Sequence, residues 1–142
     1  MLGNRGPDSC EARGRAVSSP DVDGRVELGR RGEAIAEAFL RAQSFEVVAR
    51  NFRCRAGEID LIAREGRELV FVEVRSRRSD WRGSALESVT ARKQAQVARV
   101  ARYFLAANGL GECESRFDVI GIDFGAEPPG IDHIRGAFEA GA

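Results

Sequence analysis

The segment from Gly57 to Arg75 constrains the fold of this chain more than any other stretch. Apolar residues at positions 59, 61 and 63 alternate with polar ones, and a β-rich run follows from Leu69 to Val74. Between the two lies Glu65 to Glu68, where Gly66 suits the first position of a two-residue hairpin loop. The segment therefore predicts a β-hairpin.

The predicted register brings charged residues together on one face of the hairpin. With Gly66 first in the loop, Asp60 faces Glu73 and Glu58 faces Arg75. One face is thus expected to be charged and the opposite face to be core. The apolar residues assigned to the core face are Ile59, Leu61, Ala63, Val70, Val72 and Val74.

The facing carboxylates of Asp60 and Glu73 indicate a cation site. At a separation of about 5 Å they repel each other by about 3 kcal/mol if the effective dielectric constant is near 20. A divalent cation offsets this repulsion, and carboxylate oxygens are hard ligands that suit Mg²⁺. The alternative is a solvated sheet face neutralised by Arg75 and neighbouring arginines, because structural ion pairs are common.

The chain length predicts one domain, residues 26–138, between two tails. Residues 1–25 contain too few apolar side chains to bury and are expected to be a disordered tail. Residues 139–142 form a short C-terminal tail. No apolar run long enough for a membrane span and no signal-peptide pattern occurs, so a cytoplasmic protein without a membrane partner is expected.

The net charge of zero conceals an uneven distribution along the chain. From Arg50 to Tyr103 there are 13 Arg or Lys and 7 Asp or Glu, whereas from Phe104 onward there are 2 and 7. The central segment that contains the hairpin is therefore basic. Because phosphate binding needs local rather than global positive charge, nucleic acid is a plausible partner.

The remaining periodicities predict an α/β domain with a central mixed sheet flanked by helices. Thr90 is expected to cap the second helix. The order of elements is α-β-β-β-α-β-β, with helices over Glu27–Gln43 and from Thr90 to Ala107 and with strands, besides the hairpin, over Phe45–Arg50, Arg116–Phe124 and Ile131–Ile134.

The carboxylate pattern resembles a known nuclease signature. Asp60 followed by Glu73-Val74-Arg75 is similar to the PD-(D/E)xK motif of restriction-endonuclease-like nucleases. More narrowly, the chain resembles the YraN family of bacterial endonuclease-like proteins, itself similar to archaeal Holliday-junction resolvases. The matching pieces are Gly32-Glu33-Ala34-Ile35-Ala36, Asn51-Phe52-Arg53, Gly57 to Ala63, Phe71 to Arg75, Lys93 and Arg116-Phe117-Asp118.

The resemblance implies a restriction-endonuclease-like fold and a Mg²⁺-dependent nuclease, with Mn²⁺ as the alternative ion. The substrate it implies is branched or structured DNA, cut by hydrolysis of phosphodiester bonds. A rival interpretation is a non-catalytic nucleic-acid-binding module of the same fold, acting as a partner in DNA repair or recombination. A third interpretation, a purely structural interaction protein, fits the acidic C-terminal part of the chain. Association into a homodimer is an open alternative to a monomer.

The resemblance also assigns roles within the implied site. Asp60 and Glu73 hold the metal, and Arg75 stabilises charge on the phosphate. Position 75 usually holds Lys in the broader superfamily; Arg stays protonated and cannot act as a general base. Lys93 would meet a phosphate or carboxylate, or extend into solvent instead.

Two further glutamates are candidates for the catalytic set. Glu33 would reach the site from the first helix, as a metal-ligand partner or by holding a basic residue, unless it is a surface glutamate. Glu37 is a weaker candidate for that role. Glu58 would position Arg75 or act as an outer ligand, or else form a plain cross-strand pair with Arg75.

Several residues around the hairpin are assigned to nucleic acid or to structure. Trp81 is expected to anchor its loop or to stack on a base. Asp118 is expected to pair with Arg116, and His133 is given no role. The arginines that flank the site and suit a DNA backbone, or a solvated face, are Arg53, Arg55, Arg77 and Arg78.

Overall fold

The computed structural model describes residues 24–78 and 84–140 as two helices and five strands. The predicted order α-β-β-β-α-β-β is confirmed. The elements are α1 (Arg25–Ala42), β1 (Glu46–Cys54), β2 (Gly57–Glu65), β3 (Glu68–Arg77), α2 (Ala91–Ala107), β4 (Ser115–Asp123) and β5 (Gly130–Phe138), with a 3₁₀ turn over Leu86–Ser88 before α2.

The five strands form one mixed sheet in the order β1-β2-β3-β4-β5. The β3–β4 pair is parallel, and the other three pairs are antiparallel. A parallel pair needs a crossover connection, and α2 provides it between β3 and β4. The mixed character of the predicted sheet follows from this one connection.

The two helices pack on opposite faces of the sheet. Ala36 and Leu40 of α1 pack against Leu61, Val70 and Val72 among other residues. On the other face, α2 contributes Val97, Ala98, Val100, Ala101 and Phe104 to a cluster that includes Ile62, Leu69 and Phe71. The expectation of one core face and one charged face is therefore wrong, because α2 buries the face that carries Ile62 and Phe71.

The hairpin register is confirmed over its loop-proximal half. Ile62 faces Phe71, the ladder runs from Glu65/Glu68 to Leu61/Val72, and Gly66 has φ = 62° as its loop position requires. Beyond Leu61 the β2–β3 backbone ladder stops. There the Val74 backbone N–H donates to a carboxylate oxygen of Asp60 at 2.8 Å.

The prediction that Ile59 shares a face with Leu61 is wrong. It packs in the α2 cluster with Ile62, although strict alternation would place it with Leu61. The irregularity coincides with Asn51 on β1, which has φ = 51° and lies between the Arg50/Leu61 and Phe52/Ile59 pairs. A left-handed residue within a strand shifts the side-chain alternation, and the paired strand follows it.

Other differences concern element ends and coverage. The strand predicted over Ile131–Ile134 is longer, from Gly130 to Phe138, and the Thr90 cap of α2 is present. Trp81 and most of the predicted N-terminal tail, residues 1–23, lie outside the described residues, as do residues 141–142. No helix in the described ranges is long and apolar enough to cross a membrane.

Candidate active site

Asp60 and Glu73 are buried at the point where β2 and β3 part. Their exposed fractions are 9 % and 4 %, and each lies one residue beyond the end of the hairpin's backbone ladder. Asp60 accepts the hydrogen bond from Val74 N–H that closes this gap. The two acids are therefore held on neighbouring strands by backbone geometry.

Glu73 has one carboxylate oxygen with partners and one without. Its Oε2 lies 3.5 Å from Arg75 Nη1 and 4.0 Å from Lys93 Nζ. Its Oε1 is buried and has no hydrogen-bond partner among the described residues. A buried polar atom left unpaired costs about 1–3 kcal/mol, so this atom marks a place where a proton or a cation is needed.

The two carboxyl groups hold their protons more tightly than ordinary acids. Burial, more than any other cause, raises the pKa of Glu73 to about 8, and the negative charge of Asp60 adds to it. Burial likewise raises the pKa of Asp60 to about 6, against the hydrogen bond from Val74. At neutral pH the pair therefore shares protons unless a cation replaces them.

Glu33 is the third acid in this group, and it comes from α1. Burial raises its pKa to about 7, the charges of Asp60 and Glu58 add to the rise, and a hydrogen bond with the Asn51 side chain opposes it. α1 approaches the sheet closely here, as Gly32 shows: a Cβ added to it would stand only 1.9 Å from Ser76 Oγ. The predicted placement of Glu33 beside the hairpin acids thus depends on Gly32.

Arg75 is held by the 3₁₀ turn. Its Nε donates to Ser88 Oγ at 3.0 Å, and its Nη2 donates to the Ser88 backbone oxygen at 3.3 Å. Ser88 Oγ in turn donates to the Ala85 carbonyl at 2.6 Å. The guanidinium therefore has a fixed orientation beside Glu73.

Lys93 enters the site from the first turn of α2. Thr90 Oγ1 accepts a hydrogen bond from Lys93 N at 3.1 Å and so fixes where the helix begins. Lys93 Nζ donates to Gln96 Oε1 at 3.2 Å and lies near Glu73. The lysine extends toward a carboxylate, as one of its two predicted interpretations requires.

The predicted contact between Glu58 and Arg75 is wrong, whereas a role of Glu58 as an outer ligand stays a prediction. Glu58 pairs with Arg53 at 2.8 Å rather than with Arg75, because it faces Arg53 across β1–β2 and the β2–β3 ladder has already ended. Glu37 lies outside the site. Its hydrogen bond from Arg50, with a further one from Arg41, lowers its pKa to about 2 against the effect of burial.

The four arginines predicted to flank the site lie at its end of the sheet. Arg53 and Arg55 lie at the turn between β1 and β2, and Arg77 and Arg78 lie at the end of β3. Arg55 and Arg78 are exposed, whereas Arg77 is half-buried and Arg53 is shared with Glu58. A role in binding nucleic acid stays a prediction.

Sequence reasoning missed two residues that position the site, and it missed a contact of His133 outside the site. Asn51 holds Glu33, and its left-handed conformation is one that asparagine tolerates better than most residues. Ser88 holds Arg75, and nothing in the sequence indicates it. His133 has no predicted role, but its Nε2 lies 2.8 Å from Asp118 Oδ2. The predicted Arg116–Asp118 pair is confirmed.

The possible metal ligands are few. No group of three or more His, Cys, Asp or Glu side chains arranged to hold a metal ion occurs in residues 24–78 and 84–140. Asp60 and Glu73 are thus the two protein carboxylates offered to a cation. Mg²⁺ is commonly held by one or two carboxylates together with water and substrate phosphate oxygens, so this pair suits it.

Comparison with known proteins places the chain in a family. The model of the Uncharacterised protein family UPF0102 matches residues 32–122, which include Glu33, the whole hairpin and Lys93. The chain belongs to this family. A UPF0102 protein of Hahella chejuensis is 54% identical over 95 residues, which cover 67% of this chain and 77% of the relative.

Other relatives match over more of their length. A UPF0102 protein of Geotalea uraniireducens is 43% identical over 124 residues, covering 87% of this chain and 98% of the relative. A UPF0102 protein of Geobacter metallireducens is 44% identical over 112 residues, which cover 79% of this chain and 92% of the relative. The UPF0102 proteins therefore resemble this chain across both helices and the hairpin.

Proposed function

We propose that this UPF0102 protein is a Mg²⁺-dependent nuclease that hydrolyses phosphodiester bonds in branched or structured DNA. The observation that carries the proposal is the unpartnered, buried Oε1 of Glu73 beside the buried Asp60. The resemblance to YraN and PD-(D/E)xK proteins supports it. The confirmed order of elements agrees with the restriction-endonuclease-like fold that this resemblance implies.

Asp60 and Glu73 are the residues that would hold the ion. When bound, Mg²⁺ supplies a polarised water and neutralises charge on the phosphate. The residues fit such an ion, because Glu73 Oε1 lacks a partner and both carboxyl groups are short of compensating charge. The neighbouring cations, at 3.5 and 4.0 Å from Glu73 Oε2, are too distant for strong charge-assisted hydrogen bonds.

The other residues of the site orient the substrate and move protons. Arg75 and Lys93, which lie beside Glu73, would offer positive charge to a substrate phosphate. Glu33, with its pKa near 7, is suited to accept a proton from the attacking water at neutral pH. Arg75 stays protonated and therefore acts only by orientation and charge.

A second candidate is a non-catalytic nucleic-acid-binding module. One observation favours it: the Arg75 guanidinium is already engaged by Ser88. In that case the basic residues bind the DNA backbone, and Asp60 and Glu73 remain protonated or neutralised by Arg75 and Lys93.

The variant Asp60→Asn separates the two candidates. It removes one charge from the ligand pair at nearly constant volume, so we expect Mg²⁺ or Mn²⁺ affinity and DNA cleavage to fall together, each by at least about tenfold. DNA binding without metal should persist. The assay compares cleavage of forks, four-way junctions, single strands and RNA by wild type and variant.

Asp132→Asn is the matched control, because Asp132 is an exposed aspartate on β5. It should cleave and bind like the wild type. If wild-type protein leaves all of these substrates intact in both metals, the binding module is the better account. Cleavage that survives in a contaminant-free Asp60→Asn preparation would instead show that Asp60 is not a ligand.

A further inference from the structure

The solvent-facing side of α2 is basic, and its uncharged side chains are small. The helix carries Arg92, Lys93, Arg99 and Arg102 between Ala91 and Ala107 and contains no Asp or Glu. Its exposed residues include only arginines and alanines: Ala91, Arg92, Ala95, Arg99, Arg102 and Ala106. We call this surface the α2 arginine face.

The arginines of this face differ from most arginines of the sheet. Arg50, Arg53, Arg116 and Arg135 each form an ion pair with a glutamate or an aspartate. Within residues 24–78 and 84–140, Arg92, Arg99 and Arg102 form none. Because like charges three or four residues apart repel each other on a helix, this face carries positive charge that an external anion would neutralise.

A groove runs beside the α2 arginine face. It has a volume of about 340 Å³ and separates α2 from Glu139 and Ala140, which follow β5. Gln94 and three alanines (Ala91, Ala95 and Ala98) line it together with Arg99 and Arg102. Short side chains let a phosphate backbone approach the helix, and Glu139 forms the opposite wall, which places an anion on the arginine side.

We propose that the α2 arginine face binds the phosphate backbone of the DNA strand that continues away from the candidate active site. This inference rests on the proposed function. The face begins at Arg92, one residue before Lys93, whose Nζ lies 4.0 Å from Glu73 Oε2. From Arg92 to Arg102 the helix rises by about 15 Å, which is enough to contact successive phosphates of one strand.

The composition of the face favours DNA over an anionic membrane surface. A helix that lies in a membrane interface needs large apolar side chains such as Trp, Phe or Leu on the face that enters the lipid. In α2 the large side chains Val97, Val100 and Phe104 are buried against the sheet. The exposed alanines provide too little apolar area for insertion.

The test measures how salt affects the affinity of the full-length protein for a forked DNA without divalent metal. Each lost phosphate contact should lower the slope of log affinity against log salt by about one. For Arg99→Ala/Arg102→Ala we therefore expect a slope smaller by about two. The wild type should lose about tenfold more affinity than the double variant across a fourfold rise in salt.

Arg67→Ala is the control, because Arg67 is an exposed arginine of the hairpin loop that neither belongs to α2 nor lines the groove. It should leave the slope unchanged. The inference is overturned if the double variant keeps the wild-type slope, if Arg67→Ala lowers it equally, or if the wild type does not bind forked DNA. Arginine-dependent binding to phosphatidylserine vesicles, with none to DNA, also overturns it.

The outcomes for the face and for the nuclease proposal are distinguishable. If the salt slope falls as expected but the wild type cleaves no DNA in Mg²⁺ or Mn²⁺, the face stands and the nuclease proposal fails. If the wild type cleaves DNA and the double variant binds and cleaves as the wild type does, the inference about the α2 arginine face fails and the nuclease proposal stands.

Discussion

Asp118 shows how a single buried carboxylate is stabilised by several donors. Its side chain has no exposed surface and accepts from Arg116 Nε at 2.9 Å and from the Gly136 backbone N–H at 2.9 Å. His133 Nε2 lies 2.8 Å away. Burial alone would raise the pKa of Asp118, but these hydrogen bonds outweigh burial and hold the pKa below its usual value.

The variant Asp118→Asn should therefore destabilise the domain. It removes the charge that balances Arg116, although Glu65 and Glu68 remain 2.9 Å from that guanidinium. Because Arg116 keeps these two partners, we expect a loss of about 1–3 kcal/mol, the cost of leaving buried donors poorly satisfied, which thermal or urea unfolding would detect. Asp132→Asn, at an exposed position on the neighbouring edge strand β5, should change the free energy of unfolding by less than about 0.5 kcal/mol.

The pH dependence gives a second measure of the same group. Because the folded pKa of Asp118 is depressed, its stabilisation is present above the unfolded value of about 4 and is lost as pH falls below it. The asparagine variant should show less acid-induced loss of stability than the wild type. An unchanged acid profile would mean that Asp118 does not carry this sensitivity.

Asp118 also shows what single-residue sequence reasoning can reach. Its pair with Arg116 was predictable, because residues two apart on a strand share a face. Its contact with His133 was not, because it joins strands whose register depends on a bulge between Phe117 and Val119. The ring of His133 also packs against Phe39 and Phe45, and only the tertiary fold brings these together.

The contact between α1 and β3 determines whether Glu33 reaches the site. Gly32 lies so close to β3 that an added Cβ would stand 1.9 Å from Ser76 Oγ and 3.2 Å from Ser76 Cβ. Gly29, one turn earlier, has nothing within 4 Å of such a Cβ. The two glycines provide a matched pair within one helix.

Gly29→Ala and Gly32→Ala should therefore have opposite effects on stability. Gly29→Ala should stabilise by about 0.5–1 kcal/mol, because alanine has the higher helix propensity. Gly32→Ala should destabilise by about 1–3 kcal/mol and weaken metal binding, since Ser76 must leave its rotamer and α1 must shift from β3 by a few tenths of an ångström, together with Glu33. Chemical denaturation and a Mn²⁺ titration measure the two effects.

A rescue variant tests the cause. Adding Ser76→Gly to Gly32→Ala removes both atoms that the new Cβ would meet and should restore metal binding, apart from the cost of a strand glycine. Equal effects of the two single alanine variants would show that helix packing at Gly32 does not position the site.

At the scale of elements, the sequence predicted what depends on local periodicity and missed what depends on its interruption. The hairpin loop and the register from Leu61 to Glu65 followed from Gly66 and the alternation. The break at Asp60 did not, because it coincides with a left-handed Asn51 on a different strand, which the hairpin pattern does not indicate. The burial of both sheet faces was missed because the hairpin alone does not show where α2 packs.

Across the whole molecule, the two helices deliver side chains from opposite faces of the sheet to one gap. Glu33 comes from α1, Lys93 comes from α2, and Asp60 and Glu73 lie on the two strands that part between them. An ion bound by Asp60 and Glu73 would join β2 and β3 beyond the end of their backbone ladder, beside side chains from both helices. Its binding should therefore be measurable as stability of the entire domain.

Proton and metal binding should compete in this gap. Without metal, the folded pKa values of Asp60, Glu33 and Glu73 are raised to about 6, 7 and 8. The stability that their protonated forms contribute is present below the unfolded values near 4 and is lost as pH rises through about 6 to 8. A cation binds the ionised acids, so its stabilisation grows as pH rises.

Mg²⁺ or Mn²⁺ should therefore raise the melting temperature more at about pH 8 than at about pH 6. Where the ion is at 100 times its dissociation constant, it should add about 2.7 kcal/mol to the free energy of unfolding. Glu73→Gln replaces the buried acid by a neutral amide of similar shape. Relative to the wild type, it should be more stable without metal at the higher pH, by at least about 1 kcal/mol, and should lose the metal response. Glu46→Gln, at a glutamate whose side chain is 74% exposed, should behave as the wild type in both respects. Thermal unfolding across this pH range decides the matter. If Glu73→Gln keeps the metal response, or if the wild type responds as strongly at about pH 6 as at about pH 8, the ion binds elsewhere.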